Sequence, residues 1–333
     1  MPRAAIAGIG SYLPEDRLTN ADLERMVDTS DEWILTRTGI AERRVVAAGE
    51  ATSDLAVRAA RAALADAGID GAGIDLLIVA TSTPDTLIPA TACRVQAELG
   101  LTCPAFDVNA ACSGFVYALQ VGVTVIESGR ARTVLVVGAD AMTRFIDFTD
   151  RGTCILFGDG AGAVVLRASE EAGVLGIALG ADGTGAEMLK VPAGGSALPL
   201  AQQVLDARQQ YLTMSGNEVF KFAVRVIPKA AREALKASGA TAADLTWLVP
   251  HQANQRIIDT VADRLHMPHE RVFSNVAATG NTSAASIPVA LDDLYTSGRL
   301  SAGDLVAVVG FGAGVTWGAA VVRWTKSRSS EET

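Results

Sequence analysis

The sequence predicts an α/β protein built from two similar halves, on the basis of two observations. Short runs of Val, Ile and Leu alternate with amphipathic helical segments along the chain, which is the pattern of a layered α/β fold. The same patterns recur at a constant offset of 169 residues: Asp75 and its apolar run return at Asp244, and the Ser-Gly-Arg of 128–130 returns at 297–299. Repetition over such a length indicates a duplicated domain rather than an array of short repeats.

Hydrophobic periodicity predicts the elements of each half. We expect the first half to span residues 1–172 and the second 173–326, with a polar tail at 327–333. Helices are predicted at 53–67, 90–99, 114–128, 216–238, 254–265 and 285–297. Pro228 lies inside the fourth of these and can kink it. The irregular span 185–212 is predicted to be a loop insertion in the second half.

Composition excludes several classes of protein. Of the 333 residues, 49% are hydrophobic and 20% charged, so the chain is not disordered. Its net charge of −9 argues against a nucleic-acid-binding role, which requires a basic surface, and no apolar run reaches the ~18–20 residues that cross a bilayer. The chain begins without a cleavable signal, and its four cysteines and three histidines fall in no metal-ligand spacing. We therefore expect a cytoplasmic protein without a metal, a nucleic-acid partner or a membrane contact.

Cys112 carries the strongest chemical signal in the chain. It follows a strand-like segment and precedes an apolar helical run from Phe115, so it lies at or near a first helical turn, where the positive helix end favours a thiolate. His251, in Pro-His-Gln-Ala-Asn, and Asn281, in Gly-Asn-Thr-Ser, also follow strand-like runs. Because Cys112 plus 169 residues is Asn281, we expect these two residues to occupy related loops. The three residues together indicate an enzyme with a cysteine nucleophile.

Each of these residues also has a non-catalytic interpretation. A single cysteine is most often a small core residue, an isolated histidine is usually a satisfied half-buried side chain, and an Asn after Gly is usually a turn residue. The Gly-rich segment 158–162 could suggest a nucleotide-binding loop. It lacks the lysine of a P-loop and the strand–turn–helix layout, so turns and close packing are the better interpretation.

Several motifs occur in a characteristic order along the chain. They are Asp-Glu-Trp-Ile at 31–34, Thr-Arg-Thr-Gly-Ile at 36–40, the Cys112 segment, Asp-Arg-Gly-Thr at 150–153, Phe-Gly-Asp-Gly-Ala-Gly at 157–162, and the His251 and Asn281 segments. From about Ile6 to Trp324 the chain resembles the β-ketoacyl-[acyl-carrier-protein] synthase III family, thiolase-superfamily enzymes that initiate bacterial type II fatty-acid synthesis. The resemblance implies a five-layered α-β-α-β-α fold of two similar halves.

The reaction that the resemblance implies is a decarboxylating Claisen condensation of an acyl-CoA primer with malonyl-acyl-carrier protein. Cys112 would carry the acyl group as a thioester. His251 and Asn281 would donate hydrogen bonds to the enolate that forms as carbon dioxide leaves. Coenzyme A enters as a thioester substrate, so no cofactor is implied.

The resemblance also implies an oxyanion hole. It would pair the backbone N–H of Cys112 with an N–H from the loop that contains Phe311, Gly312 and Ala313. Phe311 would line the site and disfavour the malonyl carboxylate. Ala313 stands where many relatives have glycine, and it would be strained if the backbone there required a positive φ.

CoA binding is implied at residues far from Cys112 in the sequence. The adenine would stack between Trp33 and Arg151, with Arg37 near a phosphate and Thr29 nearby, and Asn254 would contact the pantetheine arm. From the residues alone, Trp33 would be interpreted as a core side chain and Arg37 as a surface ion-pair partner.

The carrier protein is acidic, so an acidic enzyme needs a local basic patch to bind it. Lys221, Arg225 and Arg256 are expected to form this patch, and the first and last match family docking positions. Asp263 and Arg264 stand where relatives can have a pair of lysines, which leaves weak docking open.

The family forms homodimers, and Leu87 and Ile88 resemble the segment that crosses into the partner's acyl pocket. Ile88 stands where some relatives have phenylalanine, which predicts a roomier pocket that admits short branched primers. Two alternatives remain open: a secondary-metabolite paralogue that primes with starter units or transfers acyl groups, and a non-catalytic carrier-binding scaffold. Thiolases place a second cysteine in the C-terminal Gly-rich loop, and the loop at 310–318 of this chain has none. Elongating synthases use two catalytic histidines, and this chain has Asn281 in the second place.

Overall fold

The computed structural model describes residues 2–171 and 173–327. Within these ranges the strands are β1 (Arg3–Tyr12), β2 (Arg17–Thr19), β3 (Glu42–Arg44), β4 (Leu76–Ala80), β5 (Ala105–Val108), β6 (Thr133–Ala141), β7 (Asp159–Ser169), β8 (Val174–Ala181), β9 (Leu189–Lys190), β10 (Thr213–Met214), β11 (Trp247–Pro250), β12 (Leu305–Gly312) and β13 (Thr316–Arg323). The helices are α1 (Asn20–Glu24), α2 (Asp31–Thr38), α3 (Thr52–Asp66), α4 (Thr91–Glu98), α5 (Gly114–Glu127), α6 (Arg151–Cys154), α7 (Gln202–Asp206), α8 (Gly216–Ser238), α9 (Gln255–Leu265), α10 (Val276–Thr279) and α11 (Ser286–Thr296). Apart from Ser327, the predicted polar tail lies outside the described residues.

Two sheets with the same strand order form the body of the protein. The first sheet has the order β1-β7-β6-β4-β5, with β4 parallel to β5 and β6, and β7 antiparallel to β6 and β1. The second has the order β8-β13-β12-β11, with β11 parallel to β12, and β13 antiparallel to β12 and β8. A parallel bridge between Leu248 and Val272 takes the place of the fifth strand. The repetition in the sequence is therefore a repetition of sheet topology.

Helices complete five layers around the two sheets. α3 packs on the outer face of the first sheet, against β1, β6 and β7, and α8 packs on the outer face of the second, against β8, β12 and β13. α5 and α11 lie between the sheets, since each contacts strands of both. Phe115, Leu119, Ile287 and Leu291 from these central helices belong to one apolar core with residues of both sheets. The predicted five-layered α/β fold is confirmed.

The two halves are offset by 172 residues at the central turns and by 169 after them. Three-residue 3₁₀ turns precede α5 and α11 and begin at Ala111 and Ser283, 172 positions apart, with left-handed φ values of 47° and 51°. The helices then end 169 positions apart because α5 has 14 residues and α11 has 11. The prediction that Cys112 and Asn281 lie in related loops is confirmed, but the counterpart of Cys112 is Ala284.

The six predicted helices are confirmed, and each end lies within one residue of its predicted position. α8 continues through Pro228, which has no N–H to donate to the carbonyl of Val224. Arg264 of α9 donates to that carbonyl instead, at 2.8 Å. The predicted loop insertion at 185–212 is only partly irregular, because it contains α7 and also β9, which pairs with β10.

Candidate active site

Cys112 stands at the tip of a sharp turn between β5 and α5. The left-handed Ala111 precedes it, and the next residue, Ser113, holds the turn. The Ser113 hydroxyl oxygen lies 2.8 Å from the Ala110 carbonyl and 2.8 Å from the hydroxyl of Thr316. Because Thr316 begins β13, both halves fix the turn. The predicted position of Cys112 near a first helical turn is confirmed.

Cys112 is buried, with 6% of its surface exposed. Burial raises the pKa of its thiol to about 12. The Ser283 hydroxyl, 3.5 Å from the sulfur, and the backbone N–H of Cys112 oppose this rise without cancelling it. Loss of hydration therefore acts against the thiolate that the positive end of the helix favours.

His251 follows β11 directly and is held by contacts of both its backbone and its ring. Its backbone N–H donates to the Val309 carbonyl at 2.7 Å, and its ring packs edge-on against Phe311. Its Nδ1 lies 2.5 Å from the hydroxyl oxygen of Ser286, the first residue of α11. Burial lowers the pKa of His251 to about 3, so the imidazole is neutral at physiological pH.

Asn281 joins the two halves through its backbone and faces the site with its side chain. Its N–H donates to the Leu156 carbonyl at 2.8 Å, and its own carbonyl accepts from Gly158 at 3.0 Å. Its side-chain oxygen accepts from the backbone N–H of Ser283 at 2.9 Å. The oxygen is thus occupied within the loop, which leaves the amide nitrogen as a donor toward the cavity.

Two adjoining cavities share the turn that carries the nucleophile. The first, of about 200 Å³, is lined by the three predicted catalytic residues and by four other predicted site residues. These seven residues are Cys112, His251, Asn281, Asn254, Arg256, Phe311 and Gly312. The second cavity, of about 470 Å³, continues past Cys112 and is lined by apolar residues such as Met142 and Leu212, and by Ala313. Cys112 therefore lines both a narrower cavity, which also contains His251 and Asn281, and a wider one, and each cavity has a mixed polar and apolar lining.

Gly312, the last residue of β12, comes very close to the nucleophile turn. A Cβ added to Gly312 would lie 2.6 Å from the backbone nitrogen of Cys112 and 3.0 Å from the Ala110 carbonyl, so only glycine fits. The positive φ that would strain Ala313 falls instead on Gly314, at 125°. The alanine is therefore compatible with the backbone of this loop.

The predicted CoA residues form a cluster at the surface. Trp33 is half-buried, and the guanidinium groups of Arg37 and Arg151 lie 4.7 and 4.8 Å from its ring centroid. Arg151 also donates to the Asp28 carbonyl at 2.7 Å. The hydroxyl oxygen of Thr29 is buried and has no hydrogen-bond partner among the described residues. Trp33 therefore packs partly against the apolar cluster that contains Ile34 and also contacts two guanidinium groups at the surface.

Asn254 connects this cluster to the cavity. It caps α9 through its side chain, which accepts from the Ile257 N–H at 3.0 Å, and it also lines the 200 Å³ cavity. α2 carries Trp33 in its first turn and Arg37 in its last turn, and its C-terminal end packs against the same first turn of α9, since Gly39 contacts Gln255. The surface cluster and the cavity therefore adjoin each other at α9.

The predicted docking residues lie beside the cavity. Lys221 and Arg225 are exposed on α8, and Arg256, in the first turn of α9, lies 5.4 Å from the ring centroid of Phe220 on α8. Leu87 and Ile88 lie apart from all of these. They are 78% and 88% exposed and line neither cavity of their own chain.

Three polar residues of the site were not predicted from the sequence. Ser283 contacts the thiol and Ser286 contacts His251, but Ser residues at a helix start have no pattern that separates such contacts from ordinary capping. The third residue, Asp140, is completely buried near the end of β6. An acidic residue at the end of an apolar run could have indicated this buried carboxylate, since acidic side chains are rarely buried without a partner.

Asp140 joins two parts of the site. One carboxylate oxygen accepts five hydrogen bonds from residues 81–83, which include two that line the larger cavity, Ser82 and Thr83. The other oxygen accepts from the backbone N–H of Ala284 at 2.9 Å. Asp140 thus fixes the wall of one cavity to the turn that follows Asn281.

Two further findings concern the described residues as a whole. None of their helices combines the length and the apolar character that a membrane span requires. Their His, Cys, Asp and Glu side chains also form no group of three or more that could hold a metal ion.

Comparison with known proteins identifies the family. Residues 106–183 match the family described as 3-oxoacyl-[acyl-carrier-protein] synthase III, and residues 235–324 match its C-terminal family. A β-ketoacyl-[acyl-carrier-protein] synthase III from Roseiflexus castenholzii is 54% identical over 324 residues, which cover 97% of this chain and 98% of the relative. The corresponding protein from Caldanaerobacter subterraneus is 50% identical over 97% of this chain and 98% of its own.

Comparison with solved structures supports the same family assignment. The crystal structure of 3-oxoacyl-(acyl carrier protein) synthase III from Pseudomonas aeruginosa has a TM-score of 0.91 and 46% identity, covering 98% of this chain and 100% of its own. A priming β-ketosynthase from a polyketide biosynthetic pathway has a TM-score of 0.92 with a lower identity of 39%, over 98% of this chain and 97% of its own. The chain belongs to the β-ketoacyl-[acyl-carrier-protein] synthase III family.

Proposed function

We propose that this protein condenses a short-chain acyl-CoA primer with malonyl-acyl-carrier protein and so initiates fatty-acid synthesis. The products are 3-oxoacyl-acyl-carrier protein, CoA and carbon dioxide. The observation that carries the proposal is that one cavity is lined by a buried thiol, Cys112, and by two neutral side chains, His251 and Asn281. The higher identity to synthase III relatives than to the polyketide priming enzyme favours this reaction over the secondary-metabolite alternative.

In the first half-reaction the Cys112 sulfur attacks the thioester carbonyl of the primer. The C–S bond to CoA breaks, the acyl group passes to Cys112, and the thiol proton leaves with CoA. The tetrahedral oxyanion is stabilised by the backbone N–H of Cys112 and by an N–H of the loop that begins at Gly312. The tight contact between Gly312 and the Cys112 backbone supports this pairing.

In the second half-reaction the malonyl group loses carbon dioxide. The electron pair of the broken C–C bond moves into an enolate, whose oxygen accepts hydrogen bonds from the Asn281 amide and the His251 imidazole. The enolate carbon attacks the acyl-Cys112 carbonyl, the C–S bond breaks, and the sulfur leaves as a thiolate that takes a proton from water to regenerate the thiol. Both donors are neutral, so they stabilise the charge without forming an ion pair with the departing carboxylate. Phe311, which packs against His251, adds an apolar surface that disfavours that carboxylate.

The direct test is a two-substrate assay. Acyl-CoA primers of increasing length and branching are supplied with malonyl-acyl-carrier protein, and 3-oxoacyl-carrier protein and carbon dioxide are quantified together. The proposal requires equal amounts of both products. Failure of all primers to give the 3-oxoacyl product would reject it. Free CoA and an acyl-carrier protein without carbon dioxide would indicate simple acyl transfer.

CoA binding at the Trp33 cluster is part of the proposal. The indole ring offers a flat surface to the adenine, and Arg37 and Arg151 supply cations for its phosphates. Thr29 follows the Asp28 that binds Arg151, and its buried hydroxyl has no hydrogen-bond partner among the described residues. Asn254 lines the cavity of the thiol and is proposed to contact the pantetheine arm. No cofactor beyond the CoA thioester substrate is proposed. The four free cysteines support a reducing location, and we propose the cytoplasm.

We also propose a homodimer in which each subunit completes the larger cavity of its partner. β5 is an edge strand of the first sheet, and Phe106 within it is 38% exposed. Leu87 and Ile88, in the segment that precedes α4, form a second exposed apolar surface. Neither residue lines a cavity of its own chain. Exposed apolar side chains beside an unpaired strand edge support burial against a second copy.

Ile88→Phe should narrow the primer range. We expect the wild type to use an isobutyryl-type CoA better than acetyl-CoA, and the variant to lose about tenfold in that ratio because an added ring fills space in the partner's cavity. The measurement is kcat/KM for both primers. Leu200→Phe, another exposed residue that lines neither cavity, is the matched control and should leave the ratio unchanged. A preference for acetyl-CoA in both wild type and Ile88→Phe would contradict the prediction.

The carrier protein is proposed to dock along the exposed stripe of α8. Between Phe220 and Lys236 six positions of α8 are exposed, and five of them are basic although the whole chain has a net charge of −9. The exposed positions are Lys221, Arg225, Lys229, Arg232, Glu233 and Lys236. The stripe begins at the cavity and runs for about 22 Å at 1.5 Å per residue. The five cations on α8 thus supply positive charge for docking where Asp263 on α9 does not. The proposed basic patch is therefore longer than the three residues expected from the sequence.

Charge reversal tests this docking surface. Arg225→Glu and Lys229→Glu should each raise KM for malonyl-acyl-carrier protein by about tenfold, equivalent to about 1.4 kcal/mol, because each repels an acidic partner. The rate of Cys112 acylation by acyl-CoA should not change. Arg61→Glu, on the opposite outer layer, is the control for net charge. The same increase in KM for Arg61→Glu, or an effect of Arg225→Glu that is insensitive to salt, would argue against docking at this stripe.

A further inference from the structure

The hydrogen bonds around His251 determine which of its ring nitrogens carries the proton. Nδ1 lies 2.5 Å from the hydroxyl oxygen of Ser286, which is only 2% exposed. The backbone N–H of Gln252 points at the same oxygen, at 3.4 Å. Ser286 therefore lies between a fixed backbone donor and a ring nitrogen whose role depends on the tautomer.

Counting donors and acceptors separates the two tautomers. If Nδ1 were protonated, the Ser286 oxygen would accept from both Nδ1 and Gln252, and its own proton would have no acceptor among the described residues. An unsatisfied buried hydroxyl is costly. If Nδ1 is unprotonated, Ser286 accepts from Gln252 and donates to Nδ1, so the hydroxyl and Nδ1 are both paired. We infer that Ser286 is a positioning residue that holds His251 as the Nε2–H tautomer.

The surroundings of Ser286 leave little freedom to this arrangement. The Gln252 side chain is completely buried, and it donates to the Pro250 and Phe273 carbonyls at 2.7 and 3.3 Å. Its amide oxygen accepts from the Asn275 N–H at 3.0 Å. Ser286 itself is the first residue of α11, which is packed between the two sheets. The Gln252 N–H is therefore fixed by the hydrogen bonds of its own side chain, and the Ser286 hydroxyl is fixed by the packing of α11.

The assignment has a chemical consequence that rests on the proposed function. The Nε2–H tautomer directs a donor to the enolate oxygen, whereas the other tautomer would direct a lone pair to it and repel the developing charge. Ser286 would thus act through His251 on decarboxylation. Acylation of Cys112, which uses backbone donors, would be independent of Ser286.

Nitrogen NMR of the imidazole rings tests the tautomer directly. The chain has three histidines, so ¹⁵N-histidine labelling gives three ring spectra, and His266→Gln and His269→Gln identify the two others by removing their signals. We expect His251 to show a protonated Nε2 and an unprotonated Nδ1 in the wild type. The opposite pattern, or an even mixture of the two tautomers, would overturn the inference. This measurement requires no turnover, so it does not depend on the proposed reaction.

Kinetics of the half-reactions test the consequence. Ser286→Ala should lower malonyl decarboxylation by about tenfold while Cys112 acylates at the wild-type rate, and Ser286→Thr, which keeps the hydroxyl, should recover most of the loss. Ser297→Ala, at the exposed end of the same helix, controls for changes in α11. An unchanged decarboxylation rate in Ser286→Ala would contradict the positioning role. Absence of acylation in the wild type would instead reject the proposed function and leave the tautomer assignment to the NMR result.

Discussion

Cys112→Ala should abolish the covalent acyl adduct of this protein completely. After incubation with acyl-CoA, the intact wild type should gain the mass of one acyl group, and the variant should gain none, because the described residues that line the cavity include no other thiol. Condensation should fall to the background rate. Mass spectrometry of the whole protein measures the first effect, and the product assay measures the second.

The matched control is Cys93→Ala. Cys93 is the exposed one of the four free cysteines, and it is the site at which non-specific acylation would occur. The adduct should persist unchanged in this variant. An adduct that survives Cys112→Ala, or that disappears in Cys93→Ala, would show that the nucleophile has been assigned incorrectly.

The buried thiol also predicts the pH dependence of acylation. The pKa of Cys112 is raised to about 12, so the thiol form dominates throughout the range from pH 6 to 9. The small fraction of thiolate grows as pH rises toward that value, and the acylation rate should increase across the whole range. A plateau above about pH 7 would instead require a strongly lowered pKa of the kind found in activated cysteines.

Removal of either proposed enolate donor should separate the two half-reactions. His251→Ala and Asn281→Asp should still form the acyl adduct, but malonyl decarboxylation should fall by about 10²–10³-fold, the usual cost of one oxyanion donor. Asn281→Asp is the sharper variant because a carboxylate oxygen can still accept from the Ser283 N–H. It keeps the loop contact and replaces only the donor, with a charge that repels the enolate.

Release of carbon dioxide from malonyl-acyl-carrier protein measures this effect, with the acyl adduct measured on the same sample. His269→Ala, at an exposed histidine, is the control and should behave as the wild type. Because the pKa of His251 is lowered to about 3, the imidazole stays neutral from pH 8 down to pH 5, and decarboxylation should show no step near pH 6.5. Equal loss of acylation and decarboxylation in both variants would contradict the division of roles between Cys112 and these residues.

Local patterns in the sequence were sufficient for the helices and for the duplication. The six predicted helices end within one residue of their observed limits because apolar spacing and Gly signals act over a few residues. The position of Cys112 in the duplication depended on the length of a later helix. α11 is three residues shorter than α5, so a constant offset pointed from Cys112 to Asn281 when the structural counterpart is Ala284.

The chemistry of the site was predictable in its residue types and not in its energetics. Motif order identified Cys112, His251 and Asn281, which line one cavity. Their protonation depends on burial produced by packing between distant segments, which no local pattern encodes, so the rise in the pKa of Cys112 could not be predicted from the sequence. Ser286 was missed for a related reason, since its contact with His251 joins residues 35 positions apart.

One buried carboxylate limits how far the primer range of this protein can be altered independently of its speed. Asp140 binds residues 81–83 with one oxygen and the Ala284 N–H with the other. A substitution at Ser82 or Thr83 that reshapes the larger cavity therefore also pulls on the turn that orients Asn281. We therefore expect changes in substrate preference at these positions to alter carbon–carbon bond formation as well, and redesign for bulkier primers to need changes at both ends of this carboxylate bridge.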